Sequence, residues 1–200
     1  MKKTGFFAVA AAAFVVASTA SAAALPETVK AGTYKVEPGH TQVGFAISHI
    51  GFSPYSGMFS EASGSLKFDP AHPAKSSLSI TLPVSSVQTT SSVLTGELKD
   101  PNWLDAAKYP DAKFVSTKVT STGAGTATIE GDLTLHGVTK PVTLEATFVG
   151  AGTNPLDKAY TIGFDATTTI HRSDFGVKTY LPLIGDDVKL TIAGAFEKQN

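Results

Sequence analysis

The stretch TTTIHRSDFG, Thr167 to Gly176, places His171, Arg172 and Asp174 within four positions of a weakly charged chain. Three chemistries suit that grouping: acid–base catalysis, a polar anchor for a ligand, or a corner that ties strands together. The remaining histidines are His40, His49, His72 and His136. No two of the five stand four apart, as the ligands of a zinc-protease helix do, and no two stand two apart on one strand. His72 lies in the proline-rich DPAHPAK and reads as a solvated turn residue; His136 lies in LHGVTK and reads as a hairpin residue. The trio His40, His49 and His171 is not signalled as a metal site by spacing, and no metal is expected. The serines lack a G-x-S-x-G elbow, and the chain has neither a G-x-G-x-x-G nor a P-loop. Asp186-Asp187 reads as a turn before the last strand. With no cysteine, thiol nucleophiles, disulfides and thiolate metal sites are excluded. No catalytic residue is assigned, and no cofactor is expected.

Strand elements must position these groups, and parity says how. In TQVGFAISH, Val43, Phe45 and Ile47 share a face, and His49 joins them if the strand continues. In YTIGFDATTTI, Ile162, Phe164, Ala166 and Ile170 share a face; continued parity turns Arg172 and Asp174 inward and His171 outward. Inward charges need partners, because an unpaired buried charge is very costly. Two readings stay open. Arg172 and Asp174 pair with each other or with backbone, or Arg172 and His49 meet the polar head of an apolar-tailed ligand.

Alternation recurs in SGSLKF, SLSITLPVSSV, AKFVSTKVTS, GTATIEGDLTL, VTLEATF (through Phe148) and VKLTIAGAF. About eight strands result, each with one apolar and one polar face, as in antiparallel sheets with one wet side. A sandwich and a closed barrel both satisfy this pattern, and an eight-stranded barrel has room for one small ligand. The inward set mixes Phe45, Phe68, Phe148, Phe164 and Phe196 with Gly131, Ala146, Ala166 and Gly194, a mixture compatible with a cavity or a solid core. LKDPNWLDAAKYP predicts a short helix over Asp100–Lys108, with Asp100 as N-cap, Pro101 in the first turn and Pro110 just beyond. It carries Trp103, the only tryptophan.

Lys2 and Lys3, the apolar run from Gly5 to Ala17, and Ala20-Ser21-Ala22 predict a secretory signal peptide over residues 1–22, with Ala24 as the alternative cleavage point. The run is too short for a transmembrane span, so no stable membrane anchor is expected. Residues 23–32 read as a linker and 33–200 as one domain. The formal net charge of −1 offers no basic footprint for nucleic acid.

Four stretches in order resemble one family, the YceI-like or polyisoprenoid-binding proteins. They are YKVEPGHTQVGFAISHIGFSPYSGMF (34–59), LKDPNWLDAAKYPDAKFVS (98–116), GDLTLHGVTKPVTLE (131–145) and ATTTIHRSDFGV (166–177), the last followed by DDVKLTI. The resemblance covers nearly the whole chain after residue 33. It carries family positions onto His40, His49, Asp100, Tyr109, Pro110, His136, Gly137, Arg172, Asp174, Phe175 and Gly176. One departure is small: VEPGHT has Glu37 where the family often has Asp, and Thr41 where it has Ser. The resemblance implies an all-β, extended, eight-stranded antiparallel, lipocalin-like barrel. It implies a tunnel for an isoprenoid or similar long-chain amphiphile, such as a polyprenyl phosphate, an isoprenoid quinone or a fatty-acid derivative. It also implies a periplasmic, non-enzymatic protein, with a homodimer as a family habit. The expected ligand-binding residues are Phe45, Ile47, His49, Trp103, Phe148, Phe164, Ile170, Arg172 and Asp174. The competing functions are an enzyme acting on a lipid or aromatic substrate, using His49 and Arg172, and a stress-response module that binds a partner through its surface.

Overall fold

Alternating sequence with frequent turn residues produces eleven strand segments in the computed structural model, which describes residues 29–200. The expected signal peptide and residues 23–28 of the expected linker lie outside the described residues. The segments are β1 (Gly32–Val36), β2 (Gln42–His49), β3 (Ser53–Phe59), β4 (Ser63–Phe68), β5 (Ser77–Pro83), β6 (Gln88–Thr89), β7 (Asp111–Gly123), β8 (Thr126–Leu135), β9 (Val138–Thr153), β10 (Tyr160–His171) and β11 (Ile184–Lys198). All pairings are antiparallel. β1 pairs with both β4 and β11, so the ring β1-β4-β5-β7-β8-β9-β10-β11 closes on itself. Within that ring closure leaves no free strand edge, while β2, β3 and β6 extend the sheet from β11 and β6 forms its margin.

Three of the eight barrel strands are broken in mid-course. β1 and β2 lie along the same edge of β11, β3 and β4 along β2 and β1, and β6 and β5 along β3 and β4. The breaks, residues 37–41, 60–62 and 84–87, lie side by side. At the first, the Glu37 carboxylate accepts from the Gly39 and His40 amides at 2.9 and 2.8 Å and pairs with His40 Nδ1 at 2.6 Å. Burial tends to raise the Glu37 pKa, but these hydrogen bonds and the His40 ring outweigh it and hold it below the ordinary value. Buried Thr41 then re-enters the sheet, its hydroxyl donating to the Ala195 carbonyl and accepting from the Ala195 amide. The family-like VEPGHT is therefore a strand break, and His40 points into solvent. At the second, Ser60 N donates to Ser86 Oγ, which donates to the Pro83 carbonyl, joining it to the third. Beside the breaks, Gly64 has φ +138°, and a Cβ there would lie 2.1 Å from the Ser79 carbonyl oxygen, so no other residue fits.

The barrel has two ends. The upper end carries the β2–β3, β6–β7, β8–β9 and β10–β11 connections; the lower end carries β4–β5, β7–β8 and β9–β10. Val29, Tyr34, Leu66, Phe68, Ile162 and Phe196 form a buried cluster at the lower end. Tyr34 is fully buried and donates to the Lys30 carbonyl; burial, aided by Tyr160, pushes its phenol up to about 12. Val29 in this core puts folded structure inside the expected linker.

The expected helix over Asp100–Lys108 is corrected. The helix is α1, Ser92–Glu97, where Ser91 caps the Leu94 amide. Residues 98–108 form successive turns: Leu104 N bonds to the Leu98 carbonyl, Ala106 N to that of Lys99, and Asp105 takes φ +46°. A Ser cap at Ser91, nine residues before Asp100, and a left-handed residue at 105 override the Asp-Pro start.

Candidate functional site: the barrel interior

Inward-facing residues meet in cross-strand rows, and the row compositions set the space inside. One row joins Ala127, Ala146 and Ala166 on β8, β9 and β10, followed by Ile192, Val43 and Phe59. Three consecutive alanines cannot fill the waist. The result is a cavity of about 700 Å³, inside the 300–1,000 Å³ range common for small-molecule sites. Its lining runs from His49, Trp103 and Tyr180 at the upper end to Pro70, Pro73 and Gly123 at the lower. Below the waist stands an aromatic group: Phe164 makes edge contacts with Phe68, Phe148 and Phe196 at centroid distances of 5.5, 5.7 and 6.2 Å, a favoured geometry.

The upper end holds the polar groups. β10 ends at His171, and Arg172–Phe175 turn as one 3₁₀ segment closed by left-handed Gly176. The Arg172 side chain runs under the β10–β11 connection, 4% exposed. Its Nε donates to the Gly185 carbonyl at 2.8 Å, Nη1 to Val177, and Nη2 to Thr179 and Ile184, each at 2.9 Å. Four of the five guanidinium N–H groups are thus engaged by backbone, while Cζ lies 5.5 Å from the Trp103 ring centre. Burial lowers the Arg172 pKa and nearby Asp186 partly restores it. Asp186 accepts from Ser173 Oγ at 2.7 Å and Ser173 N at 2.8 Å. The Ser173 hydroxyl bond is the main reason that its carboxyl sits below the usual range; burial opposes it, and the Ser173 amide, His171 and Arg172 reinforce it.

Parity is right for Arg172 and wrong for Asp174. The strand ends one residue before Arg172, so alternation no longer applies, and Asp174 is exposed, on the outside near Lys140 and His171. The expected Arg172–Asp174 pair does not form; the acidic neighbour is Asp186, taken in the sequence for a simple turn. His171 faces outward as expected and pairs with Asp187 at 2.8 Å. Eight expected site residues line the cavity: Phe45, Ile47, His49, Trp103, Phe148, Phe164, Ile170 and Arg172. His40 and His171, both turned to solvent, do not join His49 in a metal site. His136 is a clamp as well as a hairpin residue. It and Gly137 have φ +51° and +76°, its ring packs 4.7 Å from that of Tyr109, and its Nδ1 lies 3.0 Å from the Phe175 carbonyl oxygen. A Cβ at Gly137 would meet the Tyr109 ring at 2.5 Å.

Sequence reasoning missed Tyr180, Leu94 and Leu98, which reach the cavity from connections and carry no periodic signal. It also missed Tyr55, opposite Ile47 on β3, whose buried hydroxyl has no hydrogen-bond partner.

A closed eight-stranded antiparallel barrel around an apolar cavity places the protein in the lipocalin-like architectural class. The YceI-like domain model matches residues 34–196. A UPF0312 protein of Pseudomonas syringae pv. tomato is 42% identical over 163 residues, 81% of this chain and 84% of that protein. A UPF0312 protein of Pseudomonas putida is 45% identical over 150 residues, 74% of this chain and 78% of that one. Among solved structures, Burkholderia cenocepacia BcnA superposes with a TM-score of 0.72 at 27% identity, covering 80% of this chain and 98% of its own. A polyisoprenoid binding domain from Saccharophagus degradans shares the fold, with a TM-score of 0.64 at 15% identity, covering 85% and 100%. The chain belongs to the YceI-like family.

Proposed function

We propose that the protein is an exported carrier that holds a polyisoprenoid or similar long-chain amphiphile in the barrel, for transport or storage in the periplasm. The observation that carries the reading is the continuous apolar lining of a cavity of about 700 Å³. Burying a prenyl tail there gains about 25 cal/mol per Å² of apolar area removed from water. The shared fold with a polyisoprenoid binding domain supports the ligand class. The candidate ligand contacts are Phe45, Ile47, Phe148, Phe164 and Ile170 for the tail, with His49 and Trp103 at the upper end. Arg172 is a fastening for the β10–β11 connection in this reading, not a catalytic group. The test is lipid mass spectrometry on protein purified from its native host, together with titration of prenyl phosphates, prenols and isoprenoid quinones. A co-purifying prenyl lipid, or binding at micromolar concentration, is the expected result. Absence of both overturns the reading.

A further inference from the structure

The two ends of the barrel differ in surface chemistry. Four large hydrophobic residues stand exposed on two upper connections: Ile50 (45%), Phe52 (87%), Tyr180 (65%) and Leu183 (62%). At the lower connections Leu156 is the exposed large hydrophobic among the described residues. The upper connections are tied into one rim. Ile50 N donates to the Leu183 carbonyl at 2.9 Å, Thr179 Oγ1 donates to the Asn102 carbonyl, and Trp103 and Tyr180 meet edge to face at 6.2 Å.

We propose that this rim docks the barrel on a phospholipid bilayer, with Phe52, Leu183 and Tyr180 entering the interface. This rests on the carrier reading. Three observations select a bilayer as the occupant. The rim and cavity are one continuous apolar surface, because Tyr180 is exposed and also lines the cavity, so a tail can pass from acyl chains to barrel without crossing water. Residues 50–55 (IGFSPY) and 179–185 (TYLPLIG) contain no charged side chain, which suits entry into an interface. Finally, Trp103 and Tyr180 are amphipathic aromatics, the types favoured where apolar and wet phases meet. The upper connections carry Lys99, Lys108, Arg172 and Lys178 against Glu97, Asp100, Asp105 and Asp174. The rim therefore has no one-sign field, and its attachment is apolar rather than electrostatic.

Trp103 is the only tryptophan and so reports on the rim. The full chain, after any leader has been removed, is mixed with phosphatidylcholine vesicles containing brominated acyl chains. The expected result is quenching of Trp103 that persists at high salt. The double variant Phe52→Asp, Leu183→Asp should bind vesicles at least tenfold more weakly, with unchanged thermal unfolding and unchanged uptake of a prenol presented in detergent micelles. No quenching in the wild type, or equal quenching in the variant, overturns the proposal. A dimer that the double substitution converts to monomer, without vesicle binding by either, also overturns it and makes the rim a contact between copies. If vesicles bind as expected but no prenyl lipid is taken up from micelles, docking is supported and the carrier reading fails.

Discussion

Replacing Arg172 by Ala removes one side chain and leaves the carbonyls of Val177, Thr179, Ile184 and Gly185 without the donors that hold them. Each bond to a charged donor contributes about 1.5–3 kcal/mol. The full sum is not lost, because the connection relaxes and water reaches some of the freed carbonyls. Breaking one side of a buried charged interaction costs about 3–5 kcal/mol, and about 4 kcal/mol is a large share of the 5–15 kcal/mol that holds a typical domain together. At roughly 2–4 °C per kcal/mol for a chain this long, Tm of R172A should fall by about 8–16 °C in thermal unfolding followed by circular dichroism. Arg172→Lys should fall between the two, since an ammonium keeps the charge but cannot span four carbonyls in the fork geometry of a guanidinium. A Tm for R172A within 2 °C of wild type would refute the fastening role, and a loss of prenyl phosphate binding at unchanged Tm would make Arg172 a head-group anchor instead.

Ala166→Phe places an aromatic ring in the waist beside Ala146 and Ile192; we expect overpacking to cost about 1–3 kcal/mol and prenyl binding in a fluorescence displacement assay to weaken at least tenfold. Ser173→Ala removes the bond that most lowers the Asp186 pKa. A depressed carboxylate stabilises the fold above its unfolded value, near pH 4, and the benefit vanishes as pH falls through the lower folded value. Tm of S173A should therefore lie below wild type at pH 7 and converge on it near pH 2, and an equal gap at both pH values contradicts this. Tyr55→Phe deletes a buried hydroxyl that has no partner and should leave Tm unchanged or raise stability by up to about 1 kcal/mol; a fall of several degrees would mean that the hydroxyl is satisfied in solution.

Strand faces were legible because period-2 alternation survives wherever a strand runs unbroken. Phe45, Ile47, Phe164 and Ile170 are examples, and the barrel as a whole followed from the family resemblance. Asp174 was misplaced because parity ends where β10 ends, and a 3₁₀ turn of four residues carries no periodic mark. The alanine waist needed register: Ala146 and Ala166 were legible as inward, but their alignment with Ala127 depends on ladders between separate strands. The partner of Arg172 was hidden for a related reason. Four backbone carbonyls have no residue-type signature, so sequence offered a neighbouring Asp instead. The helix was displaced because Ser91, not recognised as a cap in the sequence, starts it nine residues before Asp100, and the chain from Leu98 onward runs in turns through left-handed Asp105.

Counted with each broken pair (β1 with β2, β3 with β4, β5 with β6) as one strand, the barrel strands follow chain order, and every ladder but one joins neighbouring strands. The exception joins β11 to β1 and β2, with Tyr34 opposite Lys198. Forming that ladder closes a loop of nearly the whole domain, whose entropic cost grows only slowly with length. Until β11 is available the chain is an open sheet with two bare edges, the state most prone to pairing with other chains. The cavity is therefore enclosed only once the last strand has sealed the first.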